Sequence, residues 1–180
     1  MRLSSYILTT PAIRLGLAAL TACCLVGCLS PAPAAGNLPF TTIEQKDDAA
    51  YIGQQQYFAL DPGLLVFLDA ESAAENEDLF SDVAREQLSR VDWRTHFVVA
   101  VFQGWQGGVG FGVTVAQVSL VGAGLRIQAD FQTQLGDPSG AVTSPYHLIA
   151  VRRPLAPVEN LSFELINGET ILLTITPGPP

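Results

Sequence analysis

His96 and His147 are the only histidines in the sequence, so general acid–base chemistry near neutral pH would have to begin with one of them. Asp92 stands shortly before His96 and Ser144 shortly before His147. The arrangements to test are therefore an Asp–His pair and a Ser–His pair. Neither histidine has the HxH or HExxH spacing of metal ligands, and no GxSxG raises a serine on a strand-to-helix turn. Histidines at strand edges are more often polar boundary residues than bases, and a triad is defined by geometry and roles rather than by composition. The residues read as no catalytic set, no metal site and no cofactor site.

Gly107-Gly108-Val109-Gly110-Phe111-Gly112 has the glycine density of a phosphate loop. That chemistry needs a helix N-terminus after the glycines and, for nucleotides, a Lys-Ser or Lys-Thr pair. Here a strand pattern follows, and the sole lysine is the distant Lys46. The segment reads as a wide turn in which glycine supplies positive φ and close backbone approach. Glu71, Glu75, Glu77, Asp78, Asp82 and Glu86 form an acidic run, but without the alternation and glycine of a calcium loop. They fit the solvated face of a helix.

Trp105 lies inside the glycine-rich turn, where an exposed aromatic makes a contact anchor. With Gly107, Gly108, Gly110 and Phe111 it forms a candidate partner-contact loop, whose backbone N–H and C=O groups would be open to a partner strand. The other reading folds Trp105 back over the sheet edge. Trp93 reads as core.

The elements that position these residues follow from periodicity. Phe40 to Glu44 fits a short strand, and Leu64 to Leu68 is an apolar run of strand length. Ser72 followed by Glu75 resembles a capping box, and Leu79, Phe80, Val83 and Leu88 fall near helical spacing. Together they predict one amphipathic helix over 73–88. From Phe97 the period becomes two. Phe97 to Phe102 predicts a buried strand. Val113, Val115 and Val118 predict the next, and Leu125, Ile127, Ala129 and Phe131 alternate with polar residues in a half-buried one. Tyr146 to Val151 predicts another. Ser162 to Ile166 and Thr170 to Ile175 flank Asn167-Gly168, a type I′ hairpin signal. The fold class is mainly β: an antiparallel sandwich or partly closed barrel, with the helix before the main sheet. The 12 prolines and 16 glycines argue against a helix bundle.

The three cysteines, Cys23, Cys24 and Cys28, all sit at the edge of one apolar stretch, so the rest of the chain has no disulfide framework or thiol nucleophile. Arg2 and Arg14 precede the run Leu15 to Val26, as in an export signal. Its end, Leu25-Val26-Gly27-Cys28, resembles the bacterial lipoprotein box. The resemblance implies cleavage before Cys28 and acylation of Cys28, with membrane attachment through that lipid anchor. It divides the chain into a signal peptide (1–27), lipidated Cys28 with a Pro- and Ala-rich tether (28–39), one β-rich domain (40–176) and a disordered tail (177–180). The exported domain would stand in the bacterial cell envelope, periplasmic or at the surface. Leu29, where inner-membrane retention has aspartate, favours the outer of two membranes. The net charge of −8 opposes binding to nucleic acid.

Residues 91–152 resemble the C-terminal domain of the PrcB family, lipoprotein subunits of a bacterial surface protease complex. The matching pieces are Asp92-Trp93, Phe97 to Gln103, Gly104, Gly107-Gly108, Gly110-Phe111, Val113 to Leu120, Leu125 to Phe131 and Ser144-Pro145-Tyr146-His147. Phe111 replaces the usual tyrosine, and a Gln-Gly loop replaces a commoner proline-threonine. The resemblance implies a non-catalytic, protein-binding accessory domain with a protease as partner. An envelope hydrolase and a structural lipoprotein without a specific partner are the alternatives.

Overall fold

A computed structural model describes residues 36–47, 59–108, 110–133 and 142–176. The signal, Cys28, most of the tether and the tail at 177–180 lie outside them. The strands are β1 (Gly36–Asn37), β2 (Phe40–Lys46), β3 (Gly63–Phe67), β4 (His96–Phe102), β5 (Gly112–Val121), β6 (Gly124–Gln132), β7 (Tyr146–Arg152), β8 (Ser162–Asn167) and β9 (Thr170–Ile175). Helices α1 (Ala70–Ala74) and α2 (Asp82–Leu88) lie between β3 and β4, with 3-10 turns at Glu77–Leu79 and Val158–Asn160.

Two sheets form, in the orders β1-β5-β6-β8-β9 and β2-β7-β4-β3. They make a sandwich rather than a closed barrel. The expected antiparallel pairing runs throughout, except that β6 and β8 are parallel. After β6 the chain crosses to the other sheet for β7 and returns through the turn at Val158–Asn160, so β8 arrives beside β6 in the same direction.

The two-residue period of a strand assigns each side chain to a face. Phe97, Val99 and Val101 of β4, with Ile149 and Val151 of β7, meet Val113, Val115, Leu125, Ile127, Phe163 and Leu165 of the facing sheet. Val98, Ala100 and Phe102 point the other way. With Tyr146 and Leu148 they pack on Phe80, Ala84 and Leu88 of the helical segment. β4 and β7 are thus buried on both faces, which is why they read as continuous apolar runs. In β5 the inward residues change phase, 113 and 115 and then 118 and 120. The register shifts between Val115 and Gln117: a bulge at Ala116 keeps both pairs facing the core.

The helix predicted over 73–88 is instead α1, a 3-10 turn and α2. Asp69, not Ser72, caps the first helix, its carboxylate accepting from the Ser72 N–H at 2.8 Å. At Phe80 the backbone becomes extended (φ −119°, ψ 159°), and Ser81 caps α2 by accepting from the Ala84 N–H. The break seats Phe80 among Phe67, Phe102 and Tyr146, with ring centroids 5.9, 6.2 and 5.7 Å away. Burying that ring outweighs one more turn of a short helix.

Two boundaries also move. Asn167 pairs with Thr170, so the hairpin loop is Gly168-Glu169, one residue later than expected, with Gly168 at φ +60°. Gly36 and Asn37 pair with Leu120 and Ser119, and the Leu38 N–H donates to the Val118 carbonyl at 2.8 Å. The segment expected to be tether up to residue 39 has therefore joined the sandwich by Gly36.

Candidate functional site

The candidate contact loop carries the chain from β4 in one sheet to β5 in the other. Its backbone is held from two sides. The Trp105 N–H donates to the Ala59 carbonyl at 3.0 Å, and the Gln103 N–H to the Pro145 carbonyl at 2.9 Å. Gln106 and Thr143 exchange both backbone bonds, at 2.8 and 2.9 Å. The Thr143 hydroxyl donates to the Gly108 carbonyl at 2.9 Å. Gly104 sits at φ +84°, and a Cβ there would stand 2.4 Å from the Leu60 carbonyl oxygen. These bonds correct the expectation of a backbone open to a partner strand: Gln103, Trp105, Gln106 and Gly108 are already bonded to Ala59, Thr143 and Pro145. Trp105, Gly110 and Phe111 are half-buried, Gly107 is exposed and Gly108 is buried. Val109 lies outside the described residues.

His147 faces the space between the sheets and is only 2% exposed. Its Nδ1 accepts from the Val115 N–H at 2.8 Å, at the bulge where the β5 ladder slips. A backbone N–H can only donate, so Nδ1 carries the lone pair and the proton sits on Nε2. Nε2–H then donates to the Thr42 hydroxyl at 2.9 Å. Both ring nitrogens are engaged inside the fold, so Ser144 finds no base in this ring. Burial lowers the His147 pKa below 6.5, against the opposing pull of Asp47.

The sign of the pH dependence follows. The folded state keeps the ring neutral while the unfolded chain binds a proton below 6.5, so this contribution to stability is complete above that pH and is lost as the pH falls. Urea midpoints at about pH 7.5 and about pH 5 should differ in that direction, and the difference should shrink in His147→Gln. Equal shrinkage in His96→Gln would show that the effect belongs elsewhere.

His96 is half-buried. The Thr95 hydroxyl donates to the Asp92 carboxylate and meets His96 Nδ1, each at 2.9 Å. The Asp92 and His96 side chains are therefore linked through Thr95, while the His96 N–H donates directly to the Asp92 carbonyl at 2.9 Å. Hydrogen bonds from Thr95 and from the Arg94 N–H hold the Asp92 pKa below the usual carboxylate value.

A polar cluster that the sequence does not announce lies under α2. Glu44 of β2, its side chain 8% exposed, accepts from the Ser81 hydroxyl at 2.7 and 2.9 Å and from the Tyr146 hydroxyl. Ser81 is also the α2 cap, so one carboxylate ties the helix to two strands. Burial, and then the Glu44 carboxylate, push the Tyr146 pKa far up. The phenol stays a donor at any ordinary pH. The acidic run behaves as its spacing suggests: Asp82 and Asp78 pair with Arg85, and Glu86 pairs with Arg90, on the exposed side.

Trp93, expected in the core, is half-buried. It lines a cavity of about 390 Å³ with Ala70, Ala73, Ala74, Arg85 and Leu88. Among the described residues no group of three or more His, Cys, Asp and Glu side chains could hold a metal ion. Nor is any helix there long and apolar enough to cross a membrane.

Comparison with known proteins returns no matching family model, no similar curated protein and no similar solved structure.

Proposed function

We propose that this chain is a lipid-anchored, non-catalytic module of the bacterial cell envelope that binds a protein partner through the Trp105 loop. The observation that carries the reading is the pinned loop. Bonds to Ala59, Thr143 and Pro145 fix its backbone, while Trp105 and Phe111 are half-buried and keep part of their ring surface open, the Trp105 Nε1 lying inside. A preorganised aromatic loses little freedom on binding, and such anchors carry a disproportionate share of interface energy. The non-catalytic part of the reading is supported by His147, whose ring is committed to Val115 and Thr42. The resemblance to the PrcB family makes a secreted or surface protease the partner to try first. Membrane attachment would run through Cys28, and no nucleic acid is involved.

Trp105→Ala tests the contact. With a contact anchor, the melting temperature should hardly move while partner capture weakens by about tenfold or more. With Trp105 as core, stability should fall by about 3 kcal/mol. A destabilised variant that still captures its partner when cooled would sink the proposal. The anchor has its own test: Cys28→Ser should leave the membrane fraction. A variant that still pellets with membranes through high-salt washing would argue against lipid attachment.

A further inference from the structure

The two flanks of the sandwich differ. On one, the chain itself passes from β1 in the first sheet to β2 in the second. There the Gln45 side-chain amide donates to the Val113 carbonyl at 3.1 Å and to the Thr114 hydroxyl at 2.8 Å. The edge strand β2 also carries Glu44 and Lys46, the chain's single lysine. On the other flank the outer strands are β3 and β9. The side chains of β3 are largely buried, whereas those of β9 are mostly exposed. The strand β9 reads Thr-Ile-Leu-Leu-Thr-Ile, without charge and without proline. Ile171 is 50% and Leu172 38% exposed. Among the described residues no strand pairs with its outer side.

An uncharged, β-branched edge of this kind is a template for another strand. Edges are usually blunted by lysine, proline or a bulge along the strand, and β9 has neither of the first two. Its one irregularity is a bulge: Leu165 pairs with Leu173 and Ile166 with Ile171, which leaves Leu172 without an opposite residue in β8.

We propose that β9 pairs antiparallel with β9 of a second copy of this chain, joining two five-stranded sheets across a two-fold axis. Three observations choose a second copy as the occupant. The strand is nearly self-complementary: with the axis between Leu172 and Leu173, Leu172 faces Leu173 of the second copy, Ile171 faces Thr174 and Thr170 faces Ile175. No like charges meet, although the chain as a whole carries −8, so this neutral strip is where two acidic copies can approach. The pairing also closes on itself. The far edge of the same sheet is β1, only two residues long, and it offers no second template for growth. This surface is separate from the Trp105 loop.

Light scattering on the purified protein over a concentration series tests the proposal. The wild type should move from one to two chains per particle as concentration rises, with β9 amides gaining protection from hydrogen exchange over the same range. Leu172→Lys and Ile171→Lys alter exposed side chains and put a charge at the axis. Each should raise the dissociation constant by about tenfold or more with an unchanged melting curve. A wild type that stays single throughout would overturn the inference, as would β9 exchange that ignores concentration. So would lysine variants that dimerise like the wild type, or particles that grow beyond two copies. The hydrogen-exchange arm needs no variant, so it holds even if a lysine variant folds poorly.

Discussion

Phe97→Ala is expected to remove about 4 kcal/mol of stability, read as a shift in the denaturant midpoint at constant m-value. Phe97 is 0% exposed and sits on β4, the strand flanked by β3 and β7. Its ring meets Phe163 of the facing sheet edge-on, centroids 5.9 Å apart. Truncation removes the transfer free energy of the ring and leaves a void. β4 is bonded on both sides, to β3 and to β7, so the sheet cannot collapse inward to fill it. Phe97→Leu keeps much of the volume and should cost clearly less. Equal losses in the two variants would mean that aromatic geometry, not volume, holds this position.

Arg153→Ala should cost on the order of 3 kcal/mol, although Arg153 is not itself a candidate site residue. Its guanidinium Nε donates to the carbonyls of Trp93 and His96, both at 3.1 Å. Nη1 donates to the Glu159 carboxylate at 3.0 Å, and Nη2 donates to the Leu68 carbonyl. One side chain thus binds the end of β3, the turn before β4 and the 3-10 turn before β8. Deleting it strands part-buried acceptors, which is the expensive way to lose a hydrogen bond. Arg153→Lys should recover little, because an ammonium cannot reproduce the planar fork. Arg90→Ala is the control: its pair with Glu86 is exposed on both sides and should be worth less than about 0.5 kcal/mol. Similar losses for Arg90→Ala and Arg153→Ala would show that the carbonyl contacts of Arg153 contribute little.

Much of the fold is legible in the residues because strands carry their own code. The two-residue period marks β5 and β6, whereas the bulge between Val115 and Gln117 shows only in the register. The apolar run at Phe97 announces a strand buried on both faces, and the run at Leu64 announces a strand. The candidate site is less legible. The sequence singles out Trp105 and its glycines, but it cannot show that Thr143 and Ala59 occupy the loop backbone. Glu44, Tyr146 and Ser81 are far apart in the chain, and each has an ordinary local setting.

By itself, then, the sequence determined the strands β2 to β9 but not β1, that the class is mainly β, and most of the strand side chains that face inward. Those depend on local periodicity and turn chemistry, and both act over a few residues. The tertiary structure alone decided three things. It split the predicted helix, because Phe80 is held by rings from β3, β4 and β7. It set β8 parallel to β6, because the chain crosses between sheets before returning. It also turned His147 from a candidate base into a bridge between sheets, because the unpaired Val115 N–H needs an acceptor that only a residue of the facing sheet supplies. Each rests on contacts between residues distant in the chain, and no local pattern encodes them.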